Sequence, residues 1–92
     1  MSQAVVTFKV MPESPEVDLQ ALQSYTEDQI QDFFSPDELK VKKEPVAFGL
    51  KALVIQFTMD EEEGTTDDLE AAVDEHDDVR SAETTDVRRA FG

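Results

Sequence analysis

The 92-residue chain has no cysteine, one histidine and three glycines. Without cysteine there is no disulfide and no thiolate metal ligand. Gly49, Gly64 and Gly92 stand too far apart to build a phosphate-cradling loop. His76 falls on the apolar stripe of a predicted helix or at its end, and no Ser, Cys or paired carboxylate is forced beside it. A satisfied helix-terminal histidine is therefore expected, not a general base. No apolar run approaches the ~20 residues of a membrane helix. Met1-Ser2-Gln3-Ala4 has neither a basic segment nor a long apolar one, so no signal peptide is read there. A soluble, cytoplasmic protein without membrane contact is the expectation. Positive charge is scarce as well: 8 Lys and Arg face 22 Asp and Glu, a net charge of −14. Such a chain repels phosphate backbones, so nucleic-acid binding is not expected.

What is present is acid, unevenly spread. Residues 1–59 hold 9 acids and 5 bases, whereas residues 60–92 hold 13 acids and 3 bases. Self-repulsion of this kind destabilises a compact state at low ionic strength. At ~1 M salt the screening length falls to about 3 Å and most of the penalty disappears. The composition therefore predicts a halophilic protein from a salt-rich cell interior. The apolar residues, 39% of the chain, are periodic rather than sparse, which separates it from disordered acidic chains. At this length, folding hides roughly 60–65% of the surface, enough for one modest core, and residues 1–92 read as a single domain.

Ala4, Val6, Phe8 and Val10 alternate with Val5, Thr7, Lys9 and Met11, a strand that Pro12 and Ser14-Pro15 stop. Leu19, Leu22, Ile30, Phe33 and Phe34 lie near one stripe of a helix that Asp18, or Ser14 with Pro15, caps and Ser35-Pro36 ends. Leu39, Val41 and Lys43 alternate with Glu38, Lys40 and Lys42, a pattern suited to an edge strand. Leu50 to Met59 reads as a central strand, apolar on both faces at first. After the acidic turn Asp60-Glu61-Glu62-Glu63-Gly64, Thr65 or Thr66 caps a second helix with the stripe Leu69, Ala72, Val73, His76. Val79 to Phe91 forms a last strand with Thr85, Val87, Arg89 and Phe91 on one face and a bulge near Ser81-Ala82-Glu83. The order strand, helix, strand, strand, helix, strand is the α+β, ferredoxin-like βαββαβ arrangement, a four-stranded antiparallel sheet with both helices on one face.

Chemistry-bearing motifs are few. The acids from Asp60 to Asp78 lack the alternating ligands and distal glutamate of a calcium loop and read as a solvated face. No metal site, cofactor site or catalytic residue is assigned. Two stretches remain. In Pro45-Val46-Ala47-Phe48-Gly49-Leu50 an aromatic precedes a glycine in the turn between two strands; it is either a kink packed onto the core or an exposed anchor for a partner. Arg88-Arg89 near the terminus are either solvated charge or a site for carboxylates or phosphates.

Three stretches carry a resemblance. Val10-Met11-Pro12-Glu13-Ser14-Pro15 with Val17-Asp18-Leu19, then Glu44 to Leu53, then Thr85-Asp86-Val87-Arg88-Arg89 together resemble the archaeal translation elongation factor 1-beta family along essentially the whole chain. The resemblance implies a ferredoxin-like guanine nucleotide exchange domain acting on the elongation factor 1-alpha GTPase, with no covalent step. It implies that Phe48 lies against that GTPase and that Gly49 shapes the turn. Eukaryotic relatives carry a near-terminal lysine, which this chain replaces with Arg88, Arg89 or Phe91 as candidates for the same contact. The competing reading is a small ferredoxin-like regulatory domain that binds a metabolite or metal ion, which rests on fold analogy alone.

The charge argument is directly testable: the melting temperature followed by circular dichroism should rise as salt is raised from low millimolar towards ~1 M, and full stability at low salt would contradict it.

Overall fold

The structure, a computed structural model, describes residues 3–89. Four strands and two helices follow in the expected order: β1 Gln3–Pro12, α1 Leu19–Phe34, β2 Leu39–Pro45, β3 Lys51–Asp60, α2 Asp67–Asp74 and β4 Val79–Arg89. Short 3₁₀ turns occupy Ala47–Gly49 and Glu61–Glu63. The sheet order is β2-β3-β1-β4 with every neighbouring pair antiparallel, which is the ferredoxin-like topology. No helix is long and apolar enough to cross a membrane among the described residues.

The alternation in β1 is obeyed strictly. Ala4, Val6, Phe8 and Val10 are buried, and in β3 so are Leu53, Ile55, Phe57 and Met59. Both helices lie over this face. Helix α1 contributes Leu22, Ile30 and Phe34, and α2 contributes Leu69 and Val73. Phe34 stacks on Phe57 with centroids 5.7 Å apart, an aromatic pairing that adds to simple burial.

Helix α1 begins where Asp18 accepts from the N–H groups of Gln20 and Ala21 at 3.1 and 3.2 Å, so Asp18 rather than Ser14 is the cap. It ends at Ser35, whose left-handed backbone (φ 47°) turns the chain and whose N–H donates to the Gln31 carbonyl at 3.0 Å. Two stripe positions differ from expectation. Thr26, one turn after Leu22, is fully buried, its hydroxyl donating to the Leu22 carbonyl at 2.9 Å; the bond within its own helix makes a polar residue acceptable there. Phe33 is 39% exposed because it sits at the edge of the stripe that Phe34 centres.

Strand β4 corrects the sequence reading in detail. The extra residues are Arg80 and Thr85, not Ser81 to Glu83: Phe8 pairs with Thr84 but Thr7 with Asp86, and Met11 with Ser81 but Pro12 with Val79. The bulge at Thr85 places Thr84, not Thr85, on the helix side with Val87. Helix α2 holds this bulge. The Glu70 carboxylate accepts the Thr84 N–H at 2.7 Å, and the hydroxyls of Thr66 and Thr84 lie 2.6 Å apart. Thr66 occupies the cap position of α2 yet makes no side-chain cap bond, because its hydroxyl is turned to β4. Glu70→Ala leaves the part-buried Thr84 N–H without its acceptor and should cost about 1–3 kcal/mol, measured as a loss of thermal or denaturant stability in saturating salt.

Candidate functional site

The hairpin between β2 and β3 is closed by Val46 N–H to the Leu50 carbonyl at 2.8 Å, and Leu50 N–H reaches the Ala47 carbonyl at 3.3 Å. Leu50 is buried and anchors the turn. Within it, Phe48 has φ 63° and ψ 29°, and Gly49 follows with φ 76°. A left-handed conformation suits glycine but costs a residue with a Cβ roughly 1–2 kcal/mol. Phe48 bears that cost with its ring 91% exposed, so neither backbone preference nor burial explains it. The kink packed onto the core is thereby excluded: Phe48 is exposed. Strained residues whose strain the fold does not need concentrate where something is bound.

The two C-terminal arginines separate by face, as strand alternation expects. Arg89 pairs with Ala4 on the helix side, and its guanidinium reaches across to Glu61 in the turn after β3, Nε to Oε1 at 3.0 Å and Nη2 to Oε2 at 3.3 Å. Arg88 pairs with Val5 on the open face, and its Nε donates to Asp86, two residues back on the same face, at 2.8 Å. The first arrangement ties strand end to turn. The second leaves an arginine whose side chain is 80% exposed, joined to an exposed carboxylate of its own strand. Phe91 lies outside the described residues.

Phe48 and the arginines do not converge. Arg88 is level with Val5, Val5 is level with Thr58, and β3 runs seven residues from Thr58 to Lys51 before the Phe48 turn begins. At about 3.3 Å per residue the two sites are more than roughly 23 Å apart, at opposite ends of the sheet. The molecule's long dimension is 42 Å. The arrangement presents two separated surface features.

Other candidates fall away. His76 is satisfied at the end of α2: its ring lies 4.5 Å from that of Tyr25, and its Nδ1 accepts the Asp78 N–H at 3.1 Å. The depressions beside Gly49 and on the open sheet face measure 210 and 140 Å³, below the roughly 300–1,000 Å³ of small-molecule sites. Among the described residues no cluster of three metal-ligating side chains occurs. The conformation of Phe48 had no local signal in the sequence, since phenylalanine is a poor choice for a left-handed turn. The Arg89–Glu61 contact bridges 28 positions and had none either.

Residues 5–90 match the EF-1 guanine nucleotide exchange domain. The chain is 42% identical over 90 residues to elongation factor 1-beta of Methanosphaera stadtmanae, covering 97% of this chain and 98% of that one. It is 42% identical over 92 residues to that of Methanobrevibacter smithii, with coverage of 97% and 98%. The protein of the same name from Methanocaldococcus jannaschii is 34% identical over 93 residues, covering 98% of this chain and all of that one. Two solved structures share the fold: a de novo designed protein (TM-score 0.62, 15% identity, 98% of both chains) and a putative antibiotic biosynthesis monooxygenase from Bacillus cereus (TM-score 0.53, 16% identity, 100% of this chain and 96% of that one). At such identity they speak to architecture alone.

The turn makes a prediction independent of any partner. Phe48→Asn, a residue that tolerates the left-handed region, should keep or raise stability by up to about 1 kcal/mol. Gly49→Ala should lower it by roughly 1–2 kcal/mol, although no atom lies within 4 Å of the added Cβ. Thermal melts of the two variants check both signs.

Proposed function

The chain belongs to the EF-1 guanine nucleotide exchange domain family, and on that premise we propose that it grips its partner GTPase at two separated points, Phe48 and Arg88. It is a guanine nucleotide exchange factor for elongation factor 1-alpha. Exchange of this kind needs no bond made or broken by the factor. It requires a higher affinity for the nucleotide-free GTPase than for the GDP-bound one, and that difference is what drives GDP out and lets GTP in. Part of the binding free energy at the two contacts goes into holding a GTPase conformation that fits nucleotide poorly.

The single observation that carries the site assignment is the exposed, left-handed Phe48. An aromatic presented by a closed hairpin loses little side-chain entropy when a partner pocket takes it, the usual character of a binding hot spot. Gly49 acts through the turn, keeping Phe48 aimed outward. At the other end Arg88, rather than Arg89, is the contacting arginine. Arg89 spends two guanidinium N–H groups on Glu61 and serves to hold the end of β4. Arg88 gives up one to Asp86, an exposed pair of the kind worth at most about 1 kcal/mol, and so can exchange that carboxylate for an anionic group of the partner. The depressions beside Gly49 and on the open sheet face are too small to favour the competing metabolite-binding role. A salt-rich cell interior remains our inference for where the factor works, supported by the acidic composition.

Release of labelled GDP from the archaeal GTPase in high salt tests the assignment. Phe48→Ala and Arg88→Ala should each slow stimulated release by about ten-fold or more, the loss of one hot spot of roughly 1.4 kcal/mol or above, with unchanged circular dichroism. Arg89→Ala should instead lower stability while a folded sample retains most of its exchange activity. Equal losses for Arg88→Ala and Arg89→Ala would refute the division of roles.

A further inference from the structure

We propose that Lys9, Lys40 and Lys42 on the open face of the sheet form a third contact with elongation factor 1-alpha, receiving an acidic stretch of that GTPase's surface. The proposal rests on the exchange reading and extends it to the span between Phe48 and Arg88.

Charge in this molecule is divided between the strands and the rest of the chain. The four strands hold all eight bases and only four of the 22 acids, a net +4, and the remainder of the chain carries −18. Neither helix contains a single base. Among the described residues the ion pairs are made by arginines alone; no lysine nitrogen comes within 4.0 Å of a carboxylate oxygen. Five lysines thus stand unpaired in a chain with almost three times as many acids as bases, and the fold keeps them so.

Three of the five are brought together by the sheet register. Val54 is flanked by Lys42 on β2 and by Lys9 on β1, and the next row places Lys40 beside Gln56 and Thr7. Neighbouring strands lie about 4.8 Å apart, so the three lysine Cα atoms fall within roughly 7–12 Å of one another. No helix covers this face, yet Ala52 is fully buried and Val54 is only 6% exposed. The stems of flanking lysines are the kind of cover that hides such a floor while their ammonium groups stay in water. The result is a sheet face with an apolar floor at Ala52 and Val54, flanked by cations, with shallow depressions along Lys40, Gln56 and Val54 that Glu38 also borders.

The patch lies between the two proposed contacts, with Arg88 in the row of Val5 and Thr58 at one side and the hairpin at the other. A partner that reaches both ends passes over it. An acidic protein surface fits better than RNA. Among the described residues the face presents no aromatic for base stacking, since Phe8 and Phe57 point into the core. Glu44, Glu83 and Asp86 border the patch, Glu83 directly opposite Lys9, so its cations suit a short acidic segment seated between those carboxylates and not a continuous phosphate backbone.

The test uses the full chain carrying Lys9→Glu and Lys42→Glu, checked for folding by circular dichroism, with Lys9→Gln and Lys42→Gln as a milder pair should the first misfold. Affinity for nucleotide-free elongation factor 1-alpha is measured by titration at two salt concentrations, beside Phe48→Ala and Arg88→Ala. Charge reversal should raise Kd by about ten-fold or more, with a shallower salt dependence. An unchanged Kd for the lysine variants, where Phe48→Ala and Arg88→Ala weaken binding, overturns the third contact and leaves the exchange reading intact. No effect of any of the four substitutions overturns both. Binding of a mixed-sequence RNA that is lost with the lysines also overturns the assignment.

Discussion

Ala4, Val6, Phe8 and Val10 stand opposite Met59, Phe57, Ile55 and Leu53 along the central strand pair, and all eight are buried beneath the helices. A slip of one residue in that pairing would turn one strand's four apolar side chains to the open face, so burial fixes the register tightly. Everything of functional interest inherits its position from this constraint. Because β1 and β3 are locked over their full length, the turn that follows β2 must project from one end of the sheet. The end of β4, paired with the start of β1, must lie at the other. Phe48 and Arg88 are held apart by the stiffest part of the molecule, and their spacing does not depend on loops.

A factor with two contacts held apart by a paired sheet, as we propose, suits the work of exchange. Conformational change in a GTPase can only be driven by differential binding, and a floppy factor would follow the partner's shape instead of imposing one. The local costs in the structure fall in line with this. The hairpin tolerates an unfavourable backbone at Phe48, the sheet tolerates unpaired lysines, and the stability they forgo is supplied by the packed helical side. The excess negative charge lies outside the strands, seven acids on the two helices and eleven on the connecting segments.

How much of this could be read from residues alone depended on the range of the interaction. Strict alternation in β1 and β3 revealed both strands and their buried faces, and Asp18 announced the start of α1, because each rests on neighbours within a few positions. Thr26 was passed over since its polarity hides a bond made inside the helix. The bulge at Thr85 was misplaced because it depends on Glu70 and Thr66 from another element. The residue types at Phe48, Arg88 and Arg89 drew attention to themselves, but their separation is a property of strand order, and the commitment of Arg89 to Glu61 is a property of the folded chain. Faces could be predicted; distances and partners across the fold could not.

The pairing of Ala4 with Arg89 joins residues 85 positions apart, whereas the hairpin that presents Phe48 closes within a few. Loop-closure entropy makes the short connection form early and the long one late. During synthesis the β2–β3 hairpin can take shape while β4 is still inside the ribosome, leaving β1 with an unpaired edge until β4 emerges. Phe48 is therefore on display before the domain is finished, but Arg88 reaches its place only when β4 docks. A chain interrupted before β4 would carry one of the two proposed contacts without the other.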